Sequence, residues 1–326
     1  MLRKRCSILL IIFLIINCTE KRHDHTLDPV KVGLIFVPNV QFAPFYVALE
    51  NGYFSEQKLA VDFEFVSPAD AIQFVGIQKF DFIIADGEQV ILARNRGLPV
   101  KYIYSIYSDY PLAIASLKEK RIINPDDLIG KIIGVPEYSG ASYIGFKAFL
   151  KHNNIDESEV IIRSIGYTQA ASLSEDRVDA AVVYVNNSPI QLKRAKKEFN
   201  MIHINDYISL VSVGIITNDS LIEKNSAIVR KFSKAFQKAI EFVEQNPGQA
   251  LNVSYKFIEG GADVDTTQLQ VLEESIKLYE NEFTEKYGSG YSNKRQWRNT
   301  QDIIYEMKLI NKKQEIDEYF TNEFID

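Results

Sequence analysis

The sequence predicts an α/β protein built of two doubly wound lobes joined by two hinge crossings. Three observations lead there. Short apolar runs alternate with amphipathic stretches from residue 30 to residue 117, and the same alternation restarts after KEKRIINPDDLIGK. From about Ile222 the pattern changes to long helices that continue to the C-terminus. One α/β unit, a second one, and a helical return to the first imply layered sheets with the chain crossing twice between lobes. Lobe 1 is expected over 30–117 and 213–326, and lobe 2 over 118–212, with the crossings near 110–118 and 208–218.

The chain begins with Arg3, Lys4 and Arg5, followed by an uninterrupted apolar run from Ile8 to Ile16. Nine apolar residues are too few to span a bilayer, which takes ~20; with a cationic start they read as a secretory signal over 1–17. Cys18 follows directly. A cysteine in that place resembles a bacterial lipobox, so Cys18 is expected to be acylated and to anchor the protein to a membrane through more than one acyl chain. The polar stretch 18–29, ending at Pro29, is expected to be a tether, and His23 and His25 in it are read as solvated rather than metal-binding. The only other cysteine is Cys6, inside the signal. The mature chain then has no thiol for a disulfide, a thiolate metal site or a cysteine nucleophile.

The remaining elements follow in order. VKVGLIFV (30–37) reads as a buried strand, and PFYVALENGYF (44–54) as a helix with Pro44 in its first turn. VDFEFV (61–66), FDFIIA (80–85), VKYIYSIY (100–107) and PLAIASL (111–117) are strands; DAIQFVGIQ (70–78) and GEQVILARNRG (87–97) are helices, the latter closed by Gly97. This rhythm implies a parallel sheet. In the second unit KIIGVP (131–136), VIIRSIG (160–166) and DAAVVYV (179–185) are strands. SGASYIGFKAFLKHN (139–153) and QAASLSEDR (169–177) are helices. In NSAIVRKFSKAFQKAIEFVEQN the residues Ile228, Val229, Phe232, Ala235, Phe236, Ala239, Ile240 and Val243 repeat at three and four, as one apolar helix face does.

Charge narrows the function. Removing residues 1–17, which hold three positive charges and no negative one, takes the formal net charge from −6 to −9 and leaves 309 residues. Such a chain lacks the basic surface that nucleic acid requires. No HExxH, CxxC or GxxxxGK occurs, and Ser139 and Ser142 have no nearby histidine base in a recognisable motif. No cofactor or metal is expected.

Several strings resemble one family. PNVQFAPFYVALENGYF (38–54), FIIADGEQVILAR (82–94), RGLPV (96–100), SGASYIGFKAFL (139–150), VDAAVVYVNNSPIQL (178–192) and FTNEFI (320–325) are similar, in this order, to substrate-binding proteins of ABC importers. The group is the one related to the thiamine-pyrimidine synthase of fungi. The resemblance implies a type II periplasmic-binding fold, an exported monomer and an ABC permease partner in the inner membrane. It also implies capture of a planar heteroaromatic vitamin or precursor between the lobes. The wording is closest to the riboflavin-binding branch. The branch that binds pyrimidine precursors of thiamine usually has Trp near Phe36 and His near Phe42; the riboflavin-like and pyrimidine branches tend to carry Glu where this chain has Ser188 and Pro189 respectively. The fungal enzymes use an active-site histidine and a cysteine-rich loop, and no cysteine follows Cys18 here.

Planar ligands need aromatic faces and a few edge-reading polar groups. Phe42, Tyr46, Tyr107, Tyr110, Tyr143 and Tyr184 are the candidate faces. Asn39, Gln41, Glu88, Gln89, Gln169 and Asn187 are the candidate readers. Ser139 and Ser142 sit at a helix start, where free N–H groups suit an anion or a polar tail. Phe45, Tyr53 and Phe54 are expected in the core. Glu88 has an alternative use as a complement to the helix dipole, and Asn39 as a plain turn former. Sulfonate or nitrate binding is the competing reading within the fold, and it favours cations; the candidate strings hold few, with Arg94 and Arg96 later on the helix and Arg163 within a strand. A surface lipoprotein that binds a macromolecule is a third reading.

Overall fold

A computed structural model describes residues 27–35, 37–258 and 266–325. The expected signal, Cys18, most of the tether and Phe36 lie outside the described residues.

The first lobe opens with β1 (Asp28–Ile35), α1 (Ala43–Glu50), α2 (Tyr53–Glu56) and β2 (Leu59–Val66). It continues with α3 (Pro68–Gly76), β3 (Phe82–Asp86), α4 (Gly87–Asn95) and β4 (Val100–Ser105). The second lobe holds β5 (Leu112–Leu117), β6 (Ile132–Val135), α5 (Gly140–His152), β7 (Ile161–Ser164), α6 (Gln169–Ser174), β8 (Ala180–Tyr184), α7 (Ser188–Arg194) and β9 (Phe199–His203). The chain then returns as β10 (Val213–Asn218), followed by α8 (Asp219–Gln245), α9 (Pro247–Ser254), α10 (Thr266–Ile276), α11 (Glu282–Tyr287) and α12 (Lys294–Glu306).

The strand orders are β2-β1-β3-β10-β4 and β7-β6-β8-β5-β9. The sheets are mixed, not parallel as the sequence rhythm suggests. β1 pairs in parallel with β2 and β3, and β6 with β7 and β8. β10 runs antiparallel to β3 and β4, and β5 antiparallel to β8 and β9. The reason is the crossing itself. A strand that enters a sheet from the other lobe arrives at the carboxyl ends of that sheet's parallel strands and must run against them. β5 therefore belongs to the second sheet, so the first crossing is 106–111 rather than near 110–118, and the second is 204–212 rather than near 208–218.

Side-chain alternation divides each lobe into two cores. Phe82 and Ile84 of β3 join Val30, Val32 and Leu34 beneath α1, α8 and α9. Ile83 and Ala85 face the opposite way, with Val90, Tyr102, Ile216 and Trp297. In the second lobe Leu112, Ile114, Ile133 and Val182 pack with Phe146 and Phe149 of α5. Ala113, Ala115, Ala181 and Val183 pack with Leu173 and Leu192. The expected apolar face of α8 is the buried one, except that Ile228 is only half-buried beyond a kink at Asn225. The expected helix 44–54 breaks at Gly52, whose φ of 76° ends α1. Phe45 and Phe54 are core, while Tyr53 is half-buried under Lys238.

Candidate functional site

The topology locates the site. The short segment 106–111 joins the carboxyl end of β4 to the start of antiparallel β5, so the carboxyl ends of the parallel strands in both sheets face each other across the crossings. Open α/β sheets bind ligands at those ends. Large apolar side chains stand exposed there: Val37 and Phe65 after β1 and near the end of β2, Tyr138 and Tyr167 after β6 and β7. Phe42, 9% exposed, lies edge-on to Phe65 with ring centroids 6.0 Å apart. Tyr138 lies edge-on to Tyr143 at 6.0 Å.

Between these lips is a buried polar cluster. Asp86 ends β3 and Glu88 lies in the first turn of α4; they are 4% and 2% exposed. Oδ1 of Asp86 and Oε1 of Glu88 have no hydrogen-bond partner. Burial pushes Asp86 up to about 7. Burial also holds Glu88 well above the usual carboxylate range, and the charge of Asp86 adds to it. Their reach extends across the seam. Tyr110 of the first crossing and Tyr184 at the end of β8 are pushed up by burial and then by both carboxyls.

Tyr107, also on the first crossing, is the second centre. Burial raises its phenol, while hydrogen bonds with Ser275, Asn186 and Gln41 act the other way. Asn186, fully buried, donates to the Tyr107 hydroxyl at 3.1 Å and to Ser275 Oγ at 2.8 Å. Its own Oδ1 has no partner. Tyr107 stacks on Tyr279 with centroids 6.0 Å apart.

Two close approaches hold the crossings. A Cβ on Gly87 would meet Val211 of the second crossing at 2.3 Å. A Cβ on Gly145 of α5 would meet the Tyr110 hydroxyl at 2.5 Å. Only glycine lets backbone and side chain come so near. The Tyr110 hydroxyl also donates to the Ala141 carbonyl at 3.0 Å, tying the first crossing to lobe 2.

The structure thus brings Gln41, Glu88, Tyr107, Tyr110 and Tyr184 together, with Phe42 at the lip. Ser142 and Gln169 are buried at the starts of α5 and α6. Others are placed differently. Asn39 builds its own turn, accepting from the Gln41 N–H at 2.9 Å and donating to the Val37 carbonyl at 2.8 Å. Tyr46 is fully buried and stacked on Phe257 at 4.3 Å. Tyr143 turns to Glu157 and Lys147. Asn187 accepts from Gln191 at 2.8 Å on its own helix. Ser139 is exposed and Gln89 half-buried.

Sequence reasoning passed over Asp86, Asn186, Phe65, Tyr138 and Tyr167. Asn186 lies in the turn that follows β8, closed by the Asn187 N–H donating to the Tyr184 carbonyl at 3.1 Å, where strand alternation offers no signal.

Known proteins similar to this chain fall into one family and one fold. The profile of the NMT1/THI5-like family matches residues 39–250. The chain is 33% identical to the riboflavin-binding protein RibY of Chloroflexus aurantiacus, covering 92% of this chain and 87% of that one. It is 31% identical to the formylaminopyrimidine-binding protein of Halalkalibacterium halodurans, covering 77% of each. Among solved structures, the periplasmic aliphatic sulphonate binding protein SsuA from Escherichia coli shares the fold, with a TM-score of 0.69 at 13% identity over 89% of this chain and 96% of that one.

Proposed function

The chain belongs to the NMT1/THI5-like family, and from that premise we propose that it is an extracytoplasmic substrate-binding protein of an ABC importer. It captures a riboflavin-like flavin, or a pyrimidine precursor of thiamine, between its lobes and presents it to a permease. The observation that carries this reading is the buried cluster at the crossings. Two carboxyls, an amide and three tyrosines converge beneath aromatic lips, and among the described residues no Lys, Arg or His forms an ion pair with either carboxyl.

A neutral ring with polar edges suits that cluster. A sulfonate or nitrate does not, because a buried anion needs a cation to offset its charge and, among the described residues, none faces the cluster. Arg94 is engaged elsewhere, paired with Asp219 and Glu318. The two relatives named above are binding proteins, and capture rather than catalysis is the reading here. His152 ends α5 at the far end from Ser142, and both His152 and His203 are exposed. Closure follows if the ligand binds the closed form better than the open one. Acylated Cys18 would hold a monomer at the membrane beside its permease.

The test is a thermal-shift panel on the full chain in detergent, with riboflavin, formylaminopyrimidine, thiamine, taurine and nitrate. A ligand at ~100 times its dissociation constant stabilises by ~2.7 kcal/mol. Riboflavin or the pyrimidine should raise the melting temperature. A response to taurine or nitrate, with none to either vitamin class, would overturn the reading.

A further inference from the structure

Resting on that reading, we propose that Asp86 and Glu88 act together as the edge reader of the site. They recognise an uncharged heteroaromatic edge in which a hydrogen-bond donor stands next to an acceptor, as in a cyclic ureide or an amidine. Asp86 carries the proposal beyond a lone glutamate at a helix start.

The geometry supports this in three ways. Both side chains are more than nine-tenths buried, each with one oxygen lacking a partner. Across the seam Asn186, buried completely, also keeps its Oδ1 unpartnered. A native fold rarely leaves three such atoms so close to one crossing without a use for them. Finally, among the described residues the titratable groups around the pair supply no cation. They are Tyr102 of β4, Tyr110 of the first crossing and Tyr184 of β8, with Tyr107 also within reach of Asp86. The second crossing packs apolar Val211 against Gly87. The buried residues of α12, which packs on α4, are Trp297, Thr300, Gln301 and Ile304.

A carboxyl that holds its proton offers a donor and an acceptor side by side. It can donate to a ring carbonyl or ring nitrogen and accept from the adjacent N–H. Asn186 Oδ1 can take a further N–H or hydroxyl. A cation would find the same place attractive only after the pair ionises. A bound ring covers the pair and removes what solvent it has, which disfavours ionisation further. Affinity should therefore fall as pH rises above about 7, where Asp86 gives up its proton, by up to tenfold per pH unit for one linked proton.

The experiment compares riboflavin with N3-methylriboflavin, in which the ureide donor is blocked, on the full chain in detergent. Wild type should prefer riboflavin by on the order of 100-fold, the size of a lost hydrogen bond to a buried polar group. Glu88→Met and Asp86→Ala should each reduce that ratio by tenfold or more. Glu88→Gln, which keeps a donor beside an acceptor, should retain most of it. If an apolar variant fails to fold, the wild-type pH profile decides. Riboflavin affinity should fall between pH 7 and 9, and the Asp86→Asn, Glu88→Gln double variant should show no such fall. Equal affinity for the two flavins, or a flat wild-type profile, overturns the proposal while leaving flavin binding intact. Absence of binding by riboflavin, its methyl analogue and formylaminopyrimidine alike would overturn both this inference and the function it rests on.

Discussion

Asn186 donates its side-chain amide to the Tyr107 hydroxyl at 3.1 Å. The bond joins a residue just past β8 of the second lobe to the first crossing. The same amide reaches Ser275 of α10, which packs with the first lobe. One side chain thus links the two lobes through the crossing. Asn186→Leu should lower ligand affinity at least tenfold, about 1.4 kcal/mol. Small-angle scattering should also show a more open average shape. Unchanged affinity and shape would mean that the bridge does not contribute to closure.

The contribution of Asp86 to the stability of the unligated protein should fall as pH rises from about 4 towards 7. Asp86 binds its proton more tightly folded than unfolded, since its ordinary value of 3.8 is raised to about 7. In that window the native state holds more protons, so stability falls with pH, by at most ~1.4 kcal/mol per pH unit for this group. Carboxyls such as Asp179 act in the opposite direction, because their folded values are lowered. The difference between wild type and Asp86→Asn isolates the effect. Melting curves whose separation does not change between pH 4.5 and 7.5 would contradict it.

Gly87→Ala should destabilise by about 1–3 kcal/mol, the usual size of an overpacking penalty. The added methyl meets Val211 at 2.3 Å, so either β3–α4 or the second crossing must shift. Combining it with Val211→Ala should restore part of the loss. Urea titration of the two single variants and the double variant measures that coupling.

Arg94→Ala should destabilise by roughly 1–3 kcal/mol without changing ligand affinity. Its side chain is mostly buried and pairs with Asp219 at the start of α8 and with Glu318 near the C-terminus. A variant with normal stability but lost binding would place this guanidinium at the ligand and reopen the anion reading.

Cys18→Ser should move the protein from the membrane fraction to the soluble exported fraction, and mass spectrometry of the wild type should find acyl chains on Cys18. Retention of the serine variant at the membrane would rule out this anchor.

Much of the fold can be read from local pattern. Phe82 to Asp86 is uniformly buried, as a central strand should be, and its apolar run marks it without any tertiary knowledge. The apolar face of α8 is likewise written at spacings of three and four. Strand direction is not local. Nothing within PLAIASL says that it joins the second sheet and runs against β8, because that depends on where the chain has come from. The site divides in the same way. Glu88 is visible as a carboxyl at a helix start. The importance of Asp86 depends on the lack of a cation nearby, and three-dimensional packing alone decides that. Asn187 attracts attention through its string, yet Gln191 takes its side chain and leaves Asn186 at the seam.

The place of β10 between β3 and β4 has a consequence for how the protein is made. During synthesis β4 emerges long before β10, and until Asn218 has left the ribosome the first sheet lacks the strand that bridges β3 to β4. The N-terminal half therefore cannot close its sheet early, and its pairing must wait for residues far downstream. Were the chain exported unfolded, as the proposed signal over 1–17 would require, that delay would be useful: an incomplete sheet would keep the leading segment threadable until the whole polypeptide had been delivered.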